Sequence, residues 1–341
     1  MPIITFFSAF FACILYLKVA ISLLKKLVPK GQPIRKDGPT NHIIQKKNTP
    51  TFGGTAFACI LLGTHIVMML KHDDVRHLFL WSPLLCMLSY GILGFYDDFL
   101  KVKFHHSNGL SATMKLCAQL IIGLIVTFYI SQYHQSQCEI WIPILNVNIQ
   151  VSLLTYCIWG AIVLVASSNA FNLTDGVDGL ATTTSIIVIA AEIAILYLSS
   201  HFSNSELPLL KTVSNAVLLS LCFSLLGSLF GFLVYNKHPA KIFMGDVGSM
   251  ALGGFIGCIA LITRCELLLP LFAIVPVLET LSVILQVSHY KITKNRLFLM
   301  TPIHHHYEKK GWTENEINIR FGILSVISCI IGLLLFYAGV H

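Results

Sequence analysis

Residues 151–200 read VSLLTYCIWGAIVLVASSNAFNLTDGVDGLATTTSIIVIAAEIAILYLSS, two apolar runs on either side of the polar segment NAFNLTDGVDGLA (169–181). Each run is about 20 residues, enough to cross the hydrocarbon core as a helix, and neither shows the period-two alternation of an outer-membrane barrel strand. The pattern recurs along the chain. Similar segments at 3–24, 49–70, 78–96, 114–132, 150–168, 181–200, 212–235, 249–263, 267–288 and 319–340 predict an all-α polytopic membrane protein of about ten transmembrane helices, in a single domain over residues 1–341. Only Arg264, Cys265 and Glu266 part the eighth and ninth segments, and Pro270 and Pro276 are expected to kink or break the latter.

Composition agrees. Of 341 residues, 55% are hydrophobic and 11% charged, with a mean hydropathy of +0.75, whereas an ordinary soluble domain is about a quarter charged. Disordered, collagen-like and small disulfide-scaffold classes are excluded as well. The ten cysteines contain no CxxC pair and fall mostly within spans, as small buried apolar residues do. Cys138 and Cys265 share the loops of one side, which leaves a disulfide between them open. No cleavable signal peptide is expected, and Lys18, inside the first span, is expected to snorkel to an interface.

Charge orients the bundle. If loops alternate sides, 25–48, 97–113, 169–180, 236–248 and 289–318 share one face and hold 16 of the 23 Lys and Arg residues, against four on the other face. The positive-inside rule makes the first face cytoplasmic and puts both termini outside. The net charge of +7 is thus a one-sided field facing anionic lipid and anionic cytoplasmic solutes. No nucleic-acid-binding module accompanies it.

Paired acids on a basic face are not explained by that rule. Six of the eight Asp residues lie there, five of them in GFYDDFLKVKF (94–104), NAFNLTDGVDGLA and KIFMGDVGSMALGG (241–254). Asp97 and Asp98 are adjacent, so on a helix they point about 100° apart. Asn169, Asn172, Asp175 and Asp178 recur every three residues and form one polar stripe if that stretch is helical. Asp246 stands between Gly245 and Gly248, just before the small-residue run that opens the eighth span, although an N-cap would also suit it. Two carboxylates about 5 Å apart repel by roughly 3 kcal/mol at an effective dielectric of about 20, so a converging set needs a counter-ion. Hard oxygen donors near lysines suit Mg²⁺, whereas Zn²⁺ is disfavoured by the absence of a Cys cluster or HExxH.

Two further loops carry candidate chemistry. In TPIHHHYEKKGW (301–312), consecutive His304, His305 and His306 point in different directions and cannot all ligate one metal from a helix, which favours anion binding or proton transfer. QKKNTPTFGG (45–54) places Lys46 and Lys47 before a Pro-containing entry and the flexible pair Gly53–Gly54.

Taken in order, TPTFGG, GFYDDFLKV, NAFNLTDGVDGLA, KIFMGDVGSMALGG and TPIHHHYEKKGW resemble the phospho-N-acetylmuramoyl-pentapeptide-transferase family, over essentially the whole chain. HHH-x-E-x-x-G-W resembles that branch rather than the N-acetylglucosamine-phosphate branch of the superfamily. Departures are small: Phe52 and Phe171 replace an expected Met and Val, and His105–His106 replace part of a Lys-rich run.

The resemblance implies an Mg²⁺-dependent enzyme of the bacterial inner membrane. It would transfer phospho-N-acetylmuramoyl-pentapeptide from UDP-N-acetylmuramoyl-pentapeptide to undecaprenyl phosphate, releasing UMP in peptidoglycan synthesis, and it would form a homodimer. By the same resemblance Asp246 is the Mg²⁺ ligand, and Lys46, Asn172, Asp175, Asp178, Asn236 and Phe243 line the UDP pocket with Thr51 nearby. Asp97 acts on the lipid phosphate, Asp98 holds Lys101 or the metal's outer shell, Lys115 neutralises a phosphate oxygen, and His304, His305 and His306 stabilise the pyrophosphate. A transporter is the competing class, supported by Glu192 and Glu279 within spans, but midplane sites are expected for transport, whereas these acids gather at one membrane edge.

Overall fold

The computed structural model describes residues 2–27, 49–71, 78–104, 109–133, 138–201 and 214–340. The described residues form twelve helices, in chain order α1 (Pro2–Leu27), α2 (Thr55–Lys71), α3 (Ser82–Phe104), α4 (Ala112–Tyr133), α5 (Leu153–Thr174), α6 (Leu180–His201), α7 (Ser214–Asn236), α8 (Asp246–Ile262), α9 (Leu269–Phe272), α10 (Ile274–Thr293), α11 (Ile303–Lys309) and α12 (Glu314–Val340). A 3₁₀ turn, Leu78–Trp81, precedes α3. Among the described residues six helices, α1, α4, α5, α6, α7 and α12, are long and apolar enough to cross a membrane, and α2 and α8 are shorter apolar helices. The protein is a mostly helical, polytopic membrane protein, as expected.

One departure lies in the loop expected at 133–149, where β1 (Glu139–Ile142) and β2 (Val147–Gln150) pair antiparallel, with Trp141 opposite Asn148. Trp141 is buried against Phe336 of α12, ring centroids 5.8 Å apart, which ties the hairpin to the bundle. The adjoining Glu139 carboxylate holds Arg264 Nη1 at 2.6 Å. Cys138 and Cys265 are both free thiols, so the pairing left open does not form.

The proline expectation is met as a break. Pro270 enters the first turn of α9, Ala273 adopts a non-helical conformation, and Pro276 sits in the first turn of α10. A residue without an N–H is tolerated there because first-turn donors have no intrahelical acceptor.

The core is built around α8. Every residue from Val247 to Ile262 is buried, with α3 and α5 packed against it. Small residues permit the close approach, as in other membrane helix pairs. A Cβ on Gly94 of α3 would stand 2.2 Å from the Asp246 carbonyl oxygen. On the α5 side Ser167 Oγ donates to the Gly253 carbonyl at 2.7 Å and Ser168 Oγ to that of Met250 at 3.2 Å. These contacts fix the axial register of three helices, and with it the relative height of their polar ends.

Candidate active site

α3 continues beyond its expected end at residue 96, because DDFLKVKF carries helix-compatible ion pairs rather than a stop signal. Lys101 Nζ lies 2.6 Å from Asp97 Oδ2 and 3.5 Å from Asp98 Oδ1, the i,i+4 and i,i+3 spacings that stabilise a helix. Both acids are therefore buried within a helix rather than displayed on a loop. Asp97 Oδ1 accepts the Leu110 N–H at 2.7 Å, joining α3 to the segment leading into α4.

Asp246 is the first residue of α8, and the N-cap position belongs to Gly245 at φ +74, so the N-cap alternative fails. The capping acceptor comes from another helix: Asp98 Oδ2 accepts the Val247 N–H at 3.3 Å. The Asp246 side chain is left for the site. Its Oδ2 takes Lys115 Nζ of α4 at 2.8 Å and Lys101 Nζ at 3.0 Å, and its Oδ1 accepts from Asn172 Nδ2 of α5 at 2.8 Å. Asn172 also donates to Ser249 Oγ at 3.0 Å. Four helices thus deliver one cluster.

Electrostatics follow from burial and partners. Burial, then the charge of Asp246, pushes the Asp98 carboxyl up to about 7. Burial alone would also raise Asp246, but the ammonium groups of Lys115 and Lys101 outweigh it and hold that carboxyl well below the usual range. Lys101 is raised, since the carboxylates of Asp246, Asp98 and Asp97 exceed the desolvation that opposes them. Three carboxylates against two lysines leave a deficit of positive charge. One ligand oxygen from each of Asp97, Asp98 and Asp246 falls within 4.8 Å of the others. A hard divalent cation fits such an oxygen set.

The expected stripe from Asn169 to Asp178 is interrupted. α5 ends at Thr174 and Asp175 is its C-cap. Asn172 therefore faces Asp246 while Asp178, in the turn after the helix, joins a different group. Asp178 Oδ2 accepts the Ala240 N–H at 3.0 Å and lies 3.1 Å from His238 Nδ1, and Glu314 Oε2 accepts the Asp178 N–H at 2.8 Å. Asp178, His238 and Glu314 also bring ligand atoms within 4.8 Å of one another. His238 and Glu314 carried no signal in sequence beyond residue type.

Asn236 engages both ends of its amide within the protein, accepting from Thr182 Oγ1 at 2.7 Å and donating to the Ile242 carbonyl at 3.0 Å. It thereby shapes the loop that carries half-buried Phe243. That loop pairs with TPTFGG through Phe243 N–H to the Pro50 carbonyl at 2.8 Å, Gly53 N–H to Phe243 at 3.0 Å and Gly54 N–H to Met244 at 3.0 Å. The glycines expected to be flexible are instead a packing contact: a Cβ on Gly54 would stand 2.1 Å from Gly248 Cα. Thr51 is buried, and its Oγ1 and Asp98 Oδ2 both border Gly245. Lys46 lies outside the described residues.

The three histidines meet different partners, but the rings of His304 and His305 do not diverge: they pack edge to face with centroids 4.1 Å apart. His304 is buried beside Glu279, His305 Nδ1 lies 2.5 Å from Glu308 Oε2, and His306 Nδ1 accepts the Leu299 N–H at 3.2 Å. A small core of Val177, Leu180, Val275, Ile317 and Phe321, with Ile303, Tyr307 and Trp312 against it, fastens α11 to the turn after α5. Glu279 appeared in sequence only as a polar residue within a span.

Residues 80–264 match the family described as glycosyl transferase family 4. The chain is similar to the phospho-N-acetylmuramoyl-pentapeptide-transferase of Granulibacter bethesdensis, 41% identical over 92% of this chain and 86% of that protein. It is likewise similar to the enzyme so named from Pelagibacter ubique, at 42% over 88% and 83% of the two chains. The Campylobacter jejuni enzyme of that name is 40% identical over 92% and 91%.

Proposed function

The chain belongs to the phospho-N-acetylmuramoyl-pentapeptide-transferases of glycosyl transferase family 4, a family of phosphotransferases, and on that premise we propose that it makes lipid I. It takes phospho-N-acetylmuramoyl-pentapeptide from UDP-N-acetylmuramoyl-pentapeptide and gives it to undecaprenyl phosphate, with UMP as leaving product. It does so from the cytoplasmic face of the bacterial inner membrane, through ten spans with both termini outside, and as a homodimer. The observation that carries the reading is the convergence of Lys101, Lys115 and Asn172 on Asp246, beside Asp97 and Asp98.

Transfer between two anions is a problem of positioning and charge neutralisation. An oxygen of the lipid phosphate attacks the β-phosphorus of the donor, the new P–O bond forms, and the bond to the bridging oxygen breaks with its electron pair leaving on UMP. Asp97 positions the lipid phosphate and takes its remaining proton where one is present. Lys115 and Lys101, already paired with Asp246, turn to the phosphate oxygens. Asp246 is the principal Mg²⁺ ligand, with Asp97 and Asp98 beside it, and Mg²⁺ when bound supplies charge stabilisation to the pyrophosphate oxygens. His304, His305 and His306 add positive or hydrogen-bonding character at the pyrophosphate. Lys46, Asn172, Asp175, Asp178, Asn236 and Phe243 line the nucleotide pocket, with Asn236 acting through the Phe243 loop.

Reconstituted protein is expected to release UMP from UDP-N-acetylmuramoyl-pentapeptide only with polyprenyl phosphate and Mg²⁺ both present. Equal turnover of UDP-N-acetylglucosamine would place the chain in the sister branch, and UMP release without any lipid phosphate would sink the reading. Phe243 offers an aromatic face to uracil, a contact worth about 1–3 kcal/mol per base. Phe243→Ala should therefore weaken a uridine-based inhibitor by about 5- to 150-fold while leaving the KM for polyprenyl phosphate in place. Equal weakening of both counts against stacking.

A further inference from the structure

We infer that Glu279 is the positioning residue for His304, holding its imidazole so that Nε2 is the nitrogen presented to the donor. The inference rests on the proposed reaction. Glu279 of α10 and His304 of α11 are both fully buried. A carboxylate out of water is costly unless it is paired, and one oxygen of Glu279 meets two groups of a single partner. Oε2 accepts the His304 backbone N–H at 3.3 Å and lies 3.1 Å from the ring Nδ1. The side-chain contact stands off the hydrogen-bond line, so Nδ1 makes no hydrogen bond among the described residues, and neither does Oε1. Contacts of this kind commonly tighten only when substrate is bound.

The other edge of the ring explains the orientation. Nε2 also has no hydrogen-bond partner among the described residues, and it lies 2.2 Å from where a Cβ on Gly176 would stand. Gly176 thus leaves the space that the ring fills. It follows the Asp175 C-cap of α5, four residues beyond Asn172, which holds Asp246. The ring therefore abuts the end of the helix that serves the acidic cluster. Here the ring is enclosed between Glu279 and Gly176, and when Nδ1–H turns onto the Glu279 carboxylate in the substrate complex, Nε2 is left as the atom for a phosphate oxygen or a proton, the tautomer logic by which a buried carboxylate orients a working histidine.

Glu279→Gln retains an acceptor for the His304 N–H and removes the charge that selects the tautomer. Its kcat is expected to fall about a hundredfold, with nucleotide KM and melting midpoint unchanged and Glu279→Asp recovering part of the loss. In a His304→Gln background the same substitution should cost nothing more. A wild-type kcat in Glu279→Gln, or a full additive loss with a lowered midpoint, overturns the inference. A readout independent of turnover is the ¹⁵N spectrum of histidine-labelled protein, wild type minus His304→Gln. His304 should carry its proton on Nδ1, with that preference lost in Glu279→Gln; a ring protonated on Nε2 alone defeats the inference, even if the wild type released no UMP and the reaction assignment failed separately.

Discussion

Asp246→Asn is expected to abolish turnover, with a fall in kcat of about a thousandfold or more, while the protein still folds and inserts. Removing one preorganised electrostatic group from a charge-transfer site costs about 100–1,000-fold, and this carboxylate serves more than one partner. It binds Lys115, Lys101 and Asn172 at 2.8, 3.0 and 2.8 Å. It also stands at the N-terminal end of α8, where the helix dipole favours an anion. Asparagine has nearly the same shape and can still accept from Asn172, so helix packing is expected to survive. The amide presents one neutral oxygen to a divalent cation and turns N–H groups toward two ammonium ions. Measured on purified protein, the melting midpoint and uridine-inhibitor binding should stay near wild type as UMP release disappears. Near-normal Mg²⁺ dependence in the variant would remove Asp246 as the principal ligand.

Asp97→Asn is expected to lose about 100–10,000-fold at neutral pH, the range in which a positioned acid–base group contributes. Part of the loss should return as pH rises. The sign follows from the acceptor: a phosphate monoester has a second pKa of about 6, so above neutrality its dianion needs no base and only the positioning function of Asp97 is missing. The variant keeps an oxygen for the Leu110 N–H, which Asp97 Oδ1 accepts at 2.7 Å, but loses the charge that holds Lys101 Nζ at 2.6 Å. A pH–rate profile for kcat, compared with wild type between pH 6 and about 9, reads the difference. A loss equally deep at every pH would make Asp97 a charge-positioning group alone. Trapping a phosphorylated protein from the UDP-sugar without lipid would replace direct attack with a covalent route through an aspartate.

Much of this protein was legible without coordinates because a bilayer imposes a rule on sequence. A helix that crosses hydrocarbon must be apolar for about 20 residues, so the runs at 150–168 and 181–200 announced α5 (Leu153–Thr174) and α6 (Leu180–His201), the second within a residue at each end and the first short of the Thr174 end by six residues. The hairpin at 139–150 escaped notice because EIWI and VNIQ are too short to distinguish from loop, and Trp141 reveals its role only through its contact with Phe336. Asp97 and Asp98 were legible as residues and not as positions: hydropathy ends the span at 96, whereas ion pairs to Lys101 continue the helix to Phe104.

By itself the sequence determined the helical membrane class and the candidate acids, since each follows from local periodicity and residue chemistry. Only the tertiary structure decided how the polar residues group. Asn172 and Asp178 stand six residues apart in sequence, yet one holds Asp246 and the other meets His238 and Glu314, because α5 stops at Thr174. Glu279 acquires its meaning from His304, and Asp98 caps α8 in place of the local residue, since an unpaired buried donor or carboxylate takes whichever partner the packing brings within about 3 Å. Spacing along the chain records neither choice, because the helices that make it are brought into register by contacts such as Gly94 on the Asp246 backbone and Ser167 on that of Gly253.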